Sequence, residues 1–275
     1  MPNAKRTLEA LHLAAKKRFG QNFMNDEGDL RFIADSLGAC AGEAVLEIGP
    51  GLGALTAALL EKGLQVKAVE KDHSLADHLK IFFKDSSLEV FCRDILAFDL
   101  AGDLKRVSPI AVCGNIPYNI TSPILSWLVE HRAFVKSAVL TMQYEVAERL
   151  TGKPGHKAWG AVSVSLQAYA DVTFLRKIPR SHFFPAPKVD SGVVRLDFLP
   201  HPRFETGDKD IFHEIVSRAF QKRRKTLLNA LENEAKGHGK AKLGQVFSVL
   251  GIDPKRRSEM LSVSEWVLLA HHLSK

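Results

Sequence analysis

The string Asn-Ile-Pro-Tyr-Asn at 115–119 carries the most specific group of chemical functions in the chain. The side-chain carbonyl of Asn115 accepts hydrogen bonds, and the fixed φ of Pro117 holds the backbone carbonyl of Ile116 as a second acceptor. Two acceptors can bind the N–H groups of an exocyclic adenine amine and favour a pyramidal nitrogen. Tyr118 offers a flat face for stacking the base. The string therefore predicts chemistry on a base amine, while the simpler interpretation is a turn after a strand.

A glycine-rich string, EIGPGLG at 47–53, lies between a predicted strand and a predicted helix. Gly49 and Gly51 let the backbone turn sharply and approach a ligand, whose polar end then lies at the helix N-terminus. Glu70 ends the next predicted strand, where a carboxylate can accept hydrogen bonds from ribose hydroxyls. These features fit a nicotinamide dinucleotide enzyme and an S-adenosylmethionine enzyme equally well.

Asp94 and Ile95 follow the third predicted strand. The carboxylate can accept from an adenine amino group, and the isoleucine can pack on the adenine face. The simpler interpretation of Asp94 is a turn or cap residue. The glycine string, Glu70 and Asp94 follow successive strands, and open α/β sheets bind ligands at that edge.

Two phenylalanines begin the string FFPAPKVDS at 183–191. Phe183 or Phe184 could cover the other face of a base stacked on Tyr118, once that base has left its own stack. Aromatic residues before a proline are more often part of a core. The region shows no metal-ligand cluster, and methyl transfer from a sulfonium needs positioning more than a strong base.

Strand and helix patterns alternate up to residue 150 and predict a doubly wound, mainly parallel, Rossmann-like α/β domain. The predicted strands are 45–48, 65–69, 88–92, 110–113 and 135–141, and the predicted helices are 28–38, 54–61, 72–83, 121–129 and 144–150. A further helix is predicted at 159–169. Strands predicted at 172–178 and 193–198 can extend the sheet as an antiparallel hairpin.

Prolines and a glycine at 200–208 indicate a linker, and the pattern after it is helical. We predict a Rossmann-like domain over 1–204, beginning with a basic segment at 1–25, and a small all-helical domain over 205–275. Within the latter, the Lys/Gly stretch 236–242 is predicted to be a solvated loop.

Net charge is +7, with a pI near 9.3, and the excess lies at the two ends of the chain. A predicted basic helix face near 218–225 suits a polyanion such as RNA, although charge runs are often only solvated. Its cations are Arg218, Lys222, Arg223, Arg224 and Lys225. By charge alone, Lys255, Arg256 and Arg257 could extend this surface.

Three cysteines without a CxxC spacing indicate a reduced compartment. A basic, acid-poor start is also typical of a mitochondrial transit peptide. The string KKRFGQNFM, which begins at Lys16, leaves little room for a leader, so we expect a cytoplasmic protein. No apolar run reaches the ~20 residues of a membrane span.

Five strings in this order resemble the ribosomal RNA adenine N6-dimethyltransferases. They are KKRFGQNFM at 16–24, EIGPGLG, NIPY, FFPAPKVDS and QKRRKTLLNAL at 221–231. The similarity runs from about Lys16 to about Leu269, and is strongest to bacterial members that dimethylate two adjacent adenosines in the 3′-terminal hairpin of small-subunit (16S) RNA. It departs at Arg93, where a glycine is common, and we expect little consequence.

The resemblance implies S-adenosylmethionine as cofactor and the small ribosomal subunit as partner, with a role in subunit biogenesis. It implies that the cofactor contacts Asn22, Met24, Gly49, Glu70, Asp94 and Asn115, and that the target base meets Asn115, Tyr118 and Phe183. We expect a monomer. The residues alone would assign Asn22 and Met24 no role.

Three other interpretations remain. A sister class methylates large-subunit RNA and confers antibiotic resistance; the FFPAPKVDS loop and the C-terminal helices look less like that class. A non-catalytic ribosome-assembly factor could keep the same fold, but Asn115, Tyr118, Glu70 and Asp94 are intact. A nicotinamide oxidoreductase would explain the glycine string but not NIPY, and fold alone does not set function.

Overall fold

A computed structural model describes residues 4–16, 19–105, 108–232 and 239–275. Two sequence predictions therefore fall partly outside the described residues. One is the basic N-terminal segment, which includes Lys17 and Arg18. The other is the predicted loop at 236–242, of which 236–238 are not described.

The strands are β1 (Phe23–Met24), β2 (Ala44–Ile48), β3 (Gln65–Glu70), β4 (Leu88–Cys92), β5 (Ile110–Asn115), β6 (Val135–Gln143), β7 (Ala170–Ile178), β8 (Phe183–Phe184) and β9 (Ser191–Phe198). The helices are α1 (Ala4–Ala10), α2 (Glu27–Ser36), α3 (Ala54–Glu61), α4 (His73–Phe82), α5 (Leu100–Leu104), α6 (Thr121–Glu130), α7 (Tyr144–Leu150), α8 (Ala161–Gln167), α9 (Lys209–Gln221), α10 (Leu227–Leu231), α11 (Lys240–Leu250) and α12 (Val263–Ser274). No helix in the described part of the chain is long and apolar enough to cross a membrane.

Seven strands form one sheet in the order β4-β3-β2-β5-β6-β9-β7. The pairs among the first five are parallel, and β9 runs antiparallel to β6. The predicted mainly parallel α/β sheet is thus confirmed, with the late strands added at one end. Every residue of β2 is buried, as expected for a parallel strand covered on both faces.

Helices cover the sheet through apolar faces set by sequence spacing. In α2, Leu30, Ile33 and Ala34 are buried in a core cluster with residues of β2 and β3. Asp26 begins that helix by accepting a hydrogen bond from the Asp29 amide, which fixes where the helix starts.

A separate two-stranded sheet joins β1 to β8 in antiparallel register. Phe23 pairs with Phe184 and Met24 with Phe183. This pairing brings the QNFM segment onto the string that precedes β9, a contact that no local sequence pattern predicts.

The chain forms two compact units, and their boundaries differ from the predicted division at 204/205. The first unit comprises 1–147 and 173–198, and the second comprises 148–172 and 199–275. Residues 148–172 therefore belong with the C-terminal helices rather than with the Rossmann-like unit. The physical reason is that their aromatic side chains are part of the second core.

That second core contains the fully buried rings of Trp159, Phe212 and Trp266. The Trp159 indole donates to the Leu261 carbonyl at 3.0 Å. The Tyr169 hydroxyl and His213 Nε2 are 2.8 Å apart. These long-range contacts hold 148–172 in the second unit.

Candidate active site

A cavity of about 210 Å³ lies in the first unit at the carboxyl ends of β2, β3 and β5. Of the residues predicted from the sequence, its lining includes Asn22, Met24, Gly49, Gly51, Glu70, Asp94, Ile95, Asn115 and Tyr118. The structure therefore brings together residues from five separate segments of the sequence, as expected for the carboxyl edge of an open sheet.

The glycine loop between β2 and α3 has a backbone conformation that favours glycine. Gly49 and Gly51 both have left-handed φ, of 64° and 59°. A Cβ on Gly51 would lie 3.0 Å from the Phe23 ring, whereas a Cβ on Gly49 would meet nothing within 4 Å. The backbone at Gly49 therefore has open space beside it, where a ligand can approach.

Glu70, the last residue of β3, is buried beside this loop and 7% exposed. One carboxylate oxygen accepts from the Gly51 amide at 3.1 Å and the other from the Asp72 amide at 2.8 Å. Burial raises the pKa of Glu70, and these backbone donors act in the opposite direction. A carboxylate offers about four acceptor positions, so Glu70 can also accept from the hydroxyls of a sugar.

Asp94 is both a cap residue and a lining residue, so its two interpretations are compatible. Its side chain accepts from the Leu96 amide at 3.1 Å and begins a 3-10 turn. Its other oxygen accepts from Lys71 Nζ at 2.6 Å. Burial raises the pKa of Asp94, but the bonds from Lys71 and Leu96 outweigh it and the net direction is down. Ile95 beside it is buried and lines the cavity.

Asn115, the last residue of β5, is oriented by the N-terminal segment. Its Nδ2 donates to the Asn22 carbonyl at 2.7 Å. A backbone carbonyl can only accept, so the amide nitrogen must face it and Oδ1 must face elsewhere. The Ile116 amide donates to the Thr141 carbonyl at 3.1 Å and fixes the next peptide. The side-chain oxygen of Asn115 is thereby left as an acceptor at the cavity.

Tyr118 lies in a 3-10 turn after Pro117 and lines the same cavity. Its hydroxyl is 2.6 Å from Ser191 Oγ. Burial is the main cause that raises the pKa of Tyr118, so the side chain is a neutral phenol at physiological pH. A neutral aromatic ring and an amide acceptor that line one cavity suit a flat heterocycle.

The two phenylalanines of β8 pack into apolar clusters of the first unit. Side chains alternate along β8, so Phe183 lies with Met24 in the main apolar core and is 3% exposed. Phe184 packs against a different apolar cluster that contains Phe23. Neither phenylalanine lines the cavity beside Tyr118. The stacking role of Phe183, which the resemblance implies, stays a prediction.

Glu47 is a lining residue that was not predicted from the sequence. It is 1% exposed, and Thr56 Oγ1 donates to its carboxyl group at 2.6 Å. Burial raises the pKa of Glu47 to about 8, so most of it is protonated at neutral pH. The available signal was its position as the first residue of the EIGPGLG string.

Residues of the segment before α2 form part of the cavity wall. Ala4 and Thr7 of α1 line the cavity together with 19–25. The Ala4 amide donates to Asn25 Oδ1 at 3.0 Å. For α1 itself only basic charge was predicted, because a seven-residue helix gives a weak periodic signal.

The predicted basic helix is interrupted in the second unit. Helix α9 ends at Gln221, and Lys222–Lys225 form a turn, so Gln221 and Lys225 do not share a helix face. Arg218 pairs with Glu214 at 3.3 Å. Arg223 donates to the carbonyls of Trp159 and Lys157. The four residues of the turn are exposed.

Two groups of described residues could approach a cation, and both lie outside the cavity. They are Asp26, Asp29 and His182, and Glu205, Asp208 and His271. Asp29 is already paired with Arg176 at 3.0 Å, and Asp208 accepts from Ser274 at 2.5 Å. The chemistry of the cavity is that of hydrogen-bond acceptors and aromatic faces.

The family model described as ribosomal RNA adenine dimethylase matches residues 12–275. Ribosomal RNA small subunit methyltransferase A of Alkaliphilus oremlandii (strain OhILAs) is 39% identical, with 94% of this chain and 92% of the relative covered. The protein of the same description from Anaeromyxobacter sp. (strain K) is 40% identical, with 99% and 98% covered.

Two solved structures are similar along most of the chain. The 23S rRNA methyltransferase ErmE superposes with a TM-score of 0.74 at 26% identity, with 92% of this chain and 100% of that chain covered. A dimethyladenosine transferase from Plasmodium falciparum gives a TM-score of 0.74 at 27% identity, with 90% and 95% covered.

Proposed function

Since this chain belongs to the ribosomal RNA adenine dimethylase family, we propose that it methylates N6 of two adjacent adenosines in the 3′-terminal hairpin of 16S RNA. It is an S-adenosylmethionine-dependent methyltransferase. The observation that carries the proposal is the orientation of Asn115: its Nδ2 donates to the Asn22 carbonyl, which leaves Oδ1 as an acceptor, and Asn115 lines the same cavity as Tyr118.

The cavity residues fit the cofactor. Glu70 would accept from the ribose hydroxyls, and Asp94 with Ile95 would hold the adenine. The open space beside Gly49 admits the remainder of the molecule, and Asn22 with Met24 closes the cavity from the N-terminal side. When bound, S-adenosylmethionine supplies an electrophilic methyl group on a sulfonium.

The target adenine would stack on Tyr118, with its amine directed at two acceptors. Asn115 Oδ1 would accept one N–H, and the Ile116 carbonyl would accept the other. These bonds draw electron density to the nitrogen and hold it for in-line attack, so positioning supplies much of the catalysis. A base must leave its stack to enter this site, which favours a loop over a helix in the RNA.

The second unit is proposed to bind the RNA backbone. The exposed turn Lys222–Lys225 presents cations that can contact phosphates without reading sequence. Arg223 also fastens this turn to the 157–159 segment, because it donates to the Trp159 carbonyl at 3.2 Å. Arg218 contributes less, since Glu214 already pairs with it.

The small subunit is favoured over large-subunit RNA by sequence, not by fold. The structural similarity to ErmE equals that to the Plasmodium transferase, so fold does not discriminate. Identity of 39–40% over nearly the full chain links this protein to small-subunit methyltransferases. We propose a monomeric cytoplasmic enzyme that acts during small-subunit biogenesis.

The proposal is tested with radiolabelled S-adenosylmethionine and undermethylated small subunits, followed by nucleoside separation. We expect label in N6,N6-dimethyladenosine, and a loss of activity of about 100-fold in Asn115→Ala. Gln65→Ala removes an exposed amide at the opposite end of β3 and serves as the control. Label only on large-subunit RNA would reassign the substrate, and no label on either RNA would refute the enzyme.

A further inference from the structure

The Tyr118 ring is held at both of its ends. Its backbone follows Pro117 in a 3-10 turn, and its hydroxyl lies 2.6 Å from Ser191 Oγ. Ser191 is fully buried and is the first residue of β9. The phenol oxygen lies on the axis of the second side-chain torsion, so a hydrogen bond there restrains the first torsion directly. It also restrains the plane of the ring, because a phenol keeps its O–H bond in that plane.

The position of Ser191 depends in turn on Asp190. The Asp190 carboxylate accepts from the Arg180 amide at 3.1 Å and pairs with Lys177 at 2.9 Å. Its carbonyl accepts from the Tyr144 amide at 3.0 Å. Three contacts from different elements therefore fix the point at which β9 begins.

Gly192 completes the arrangement on the other side. A Cβ at this residue would lie 2.6 Å from the Ala147 Cβ and 3.0 Å from the Phe174 ring. Only a glycine allows α7 and β7 to pack this closely over the start of β9. The adjacent Ser191 is thereby kept in register with Gln143 of β6.

We propose that Ser191 is a positioning residue for the methyl-transfer reaction, and that it acts by setting the plane of the Tyr118 ring on which the target base stacks. Asp190 and Gly192 hold Ser191 in place. This inference rests on the proposed function, because the plane of the ring matters only if a base enters the site.

A double-mutant cycle tests the inference with the full-length protein and small subunits as substrate. Ser191→Ala and Tyr118→Phe each remove the same hydrogen bond, so each should lower kcat/KM for the RNA about five-fold. The double variant should show the same loss of about five-fold, because only one interaction is removed. The Kd for S-adenosylmethionine should remain that of the wild type.

A spectroscopic measurement separates positioning from general stability. The chain has three tyrosines, so 13Cζ labelling gives few resonances, and Tyr118→Phe identifies the one of interest. That resonance should shift in Ser191→Ala while the other two remain in place. Losses that multiply in the double variant would overturn the inference. Full activity of Tyr118→Phe would also overturn it, and this test remains if Ser191→Ala fails to fold. An inactive wild type would refute the proposed function itself.

Discussion

Glu47 is a carboxylic acid buried beside the cavity, and its hydrogen-bond partner is Thr56. Its folded pKa of about 8 lies above the ordinary value of 4.5. Between these two values the folded protein keeps a proton that the unfolded chain has released. The stabilisation is therefore complete below pH 4.5 and is lost as the pH rises through 8.

We predict that Glu47→Gln removes this pH dependence, because glutamine keeps the shape and the acceptor but does not ionise. The free energy of unfolding of the variant, relative to wild type, should rise with pH between about 5 and 8. The slope should not exceed about 1.4 kcal/mol per pH unit. Urea unfolding at a series of pH values measures it.

Glu61→Gln, at the exposed end of α3, is the matched control for the glutamate substitution. If the difference in the free energy of unfolding between Glu47→Gln and wild type stays constant from about pH 5 to 9, Glu47 does not hold a proton in the core.

Most single residues of the cavity were predictable because their strings follow strands. Glu70 and Asn115 are the last residues of β3 and β5, where chemistry was expected. The contact by which Asn22 orients Asn115 was not predictable, since it is made through a backbone carbonyl that any residue type could offer. Which of Phe183 and Phe184 faces the core was not predictable, because a two-residue strand is too short to show a periodic pattern in the sequence.

Gly114 shows how one residue sets the approach of two strands. It lies in β5 beside β2, and a Cβ there would be 2.5 Å from the Ile48 carbonyl oxygen. That oxygen belongs to the backbone and cannot rotate away. The close approach allows Asn115 and the glycine loop to line one cavity.

Gly114→Ala should therefore destabilise the protein by about 1–3 kcal/mol and lower its methyltransferase activity. Denaturant unfolding together with the radiolabel assay measures both effects. In contrast, Gly244→Ala in α11 meets nothing within 4 Å and should be neutral or stabilising by up to about 1 kcal/mol. If Gly114→Ala and Gly244→Ala were equally stable, the close approach of β5 to β2 would not depend on the glycine at position 114.

At the level of elements, the sequence pattern predicted the strands of the main sheet but not the shortest strands and helices. The predicted bounds of α3, β4 and α7 coincide with those observed, since each has a clear apolar pattern and a defined end. The β1–β8 pairing and α1 were missed, because two-residue strands and very short helices depend on tertiary contacts. The two compact units differ from the predicted division at 204/205 for the same reason, since Trp159 joins the second core through its bond to Leu261.

The whole molecule carries a net charge of +7, and the turn Lys222–Lys225 concentrates part of it. If this turn contacts phosphates, removal of its cations should weaken RNA binding and should also make the RNA affinity less dependent on salt concentration. For each phosphate that the protein no longer neutralises, the slope of log K against log salt concentration should fall by about 0.7–0.9.

We predict that Arg224→Ala with Lys225→Ala lowers this slope by roughly 1.5 and leaves the Kd for S-adenosylmethionine unchanged. Filter binding of 16S RNA between about 50 and 200 mM salt measures it. Lys84→Ala with Lys105→Ala removes two exposed lysines of the first unit and is the charge-matched control. The same slope in both double variants would show that the turn makes no phosphate contact.

The pairing of β1 with β8 constrains how this protein matures on the ribosome. β1 must wait for residues near 184 to be made before it can pair, and the hydrogen bond between His182 and Asp29 spans 153 positions. Contacts of such long range are slow to form. The nascent chain therefore cannot complete its catalytic cavity until β8 has emerged, so a product truncated before β8 would lack a finished site.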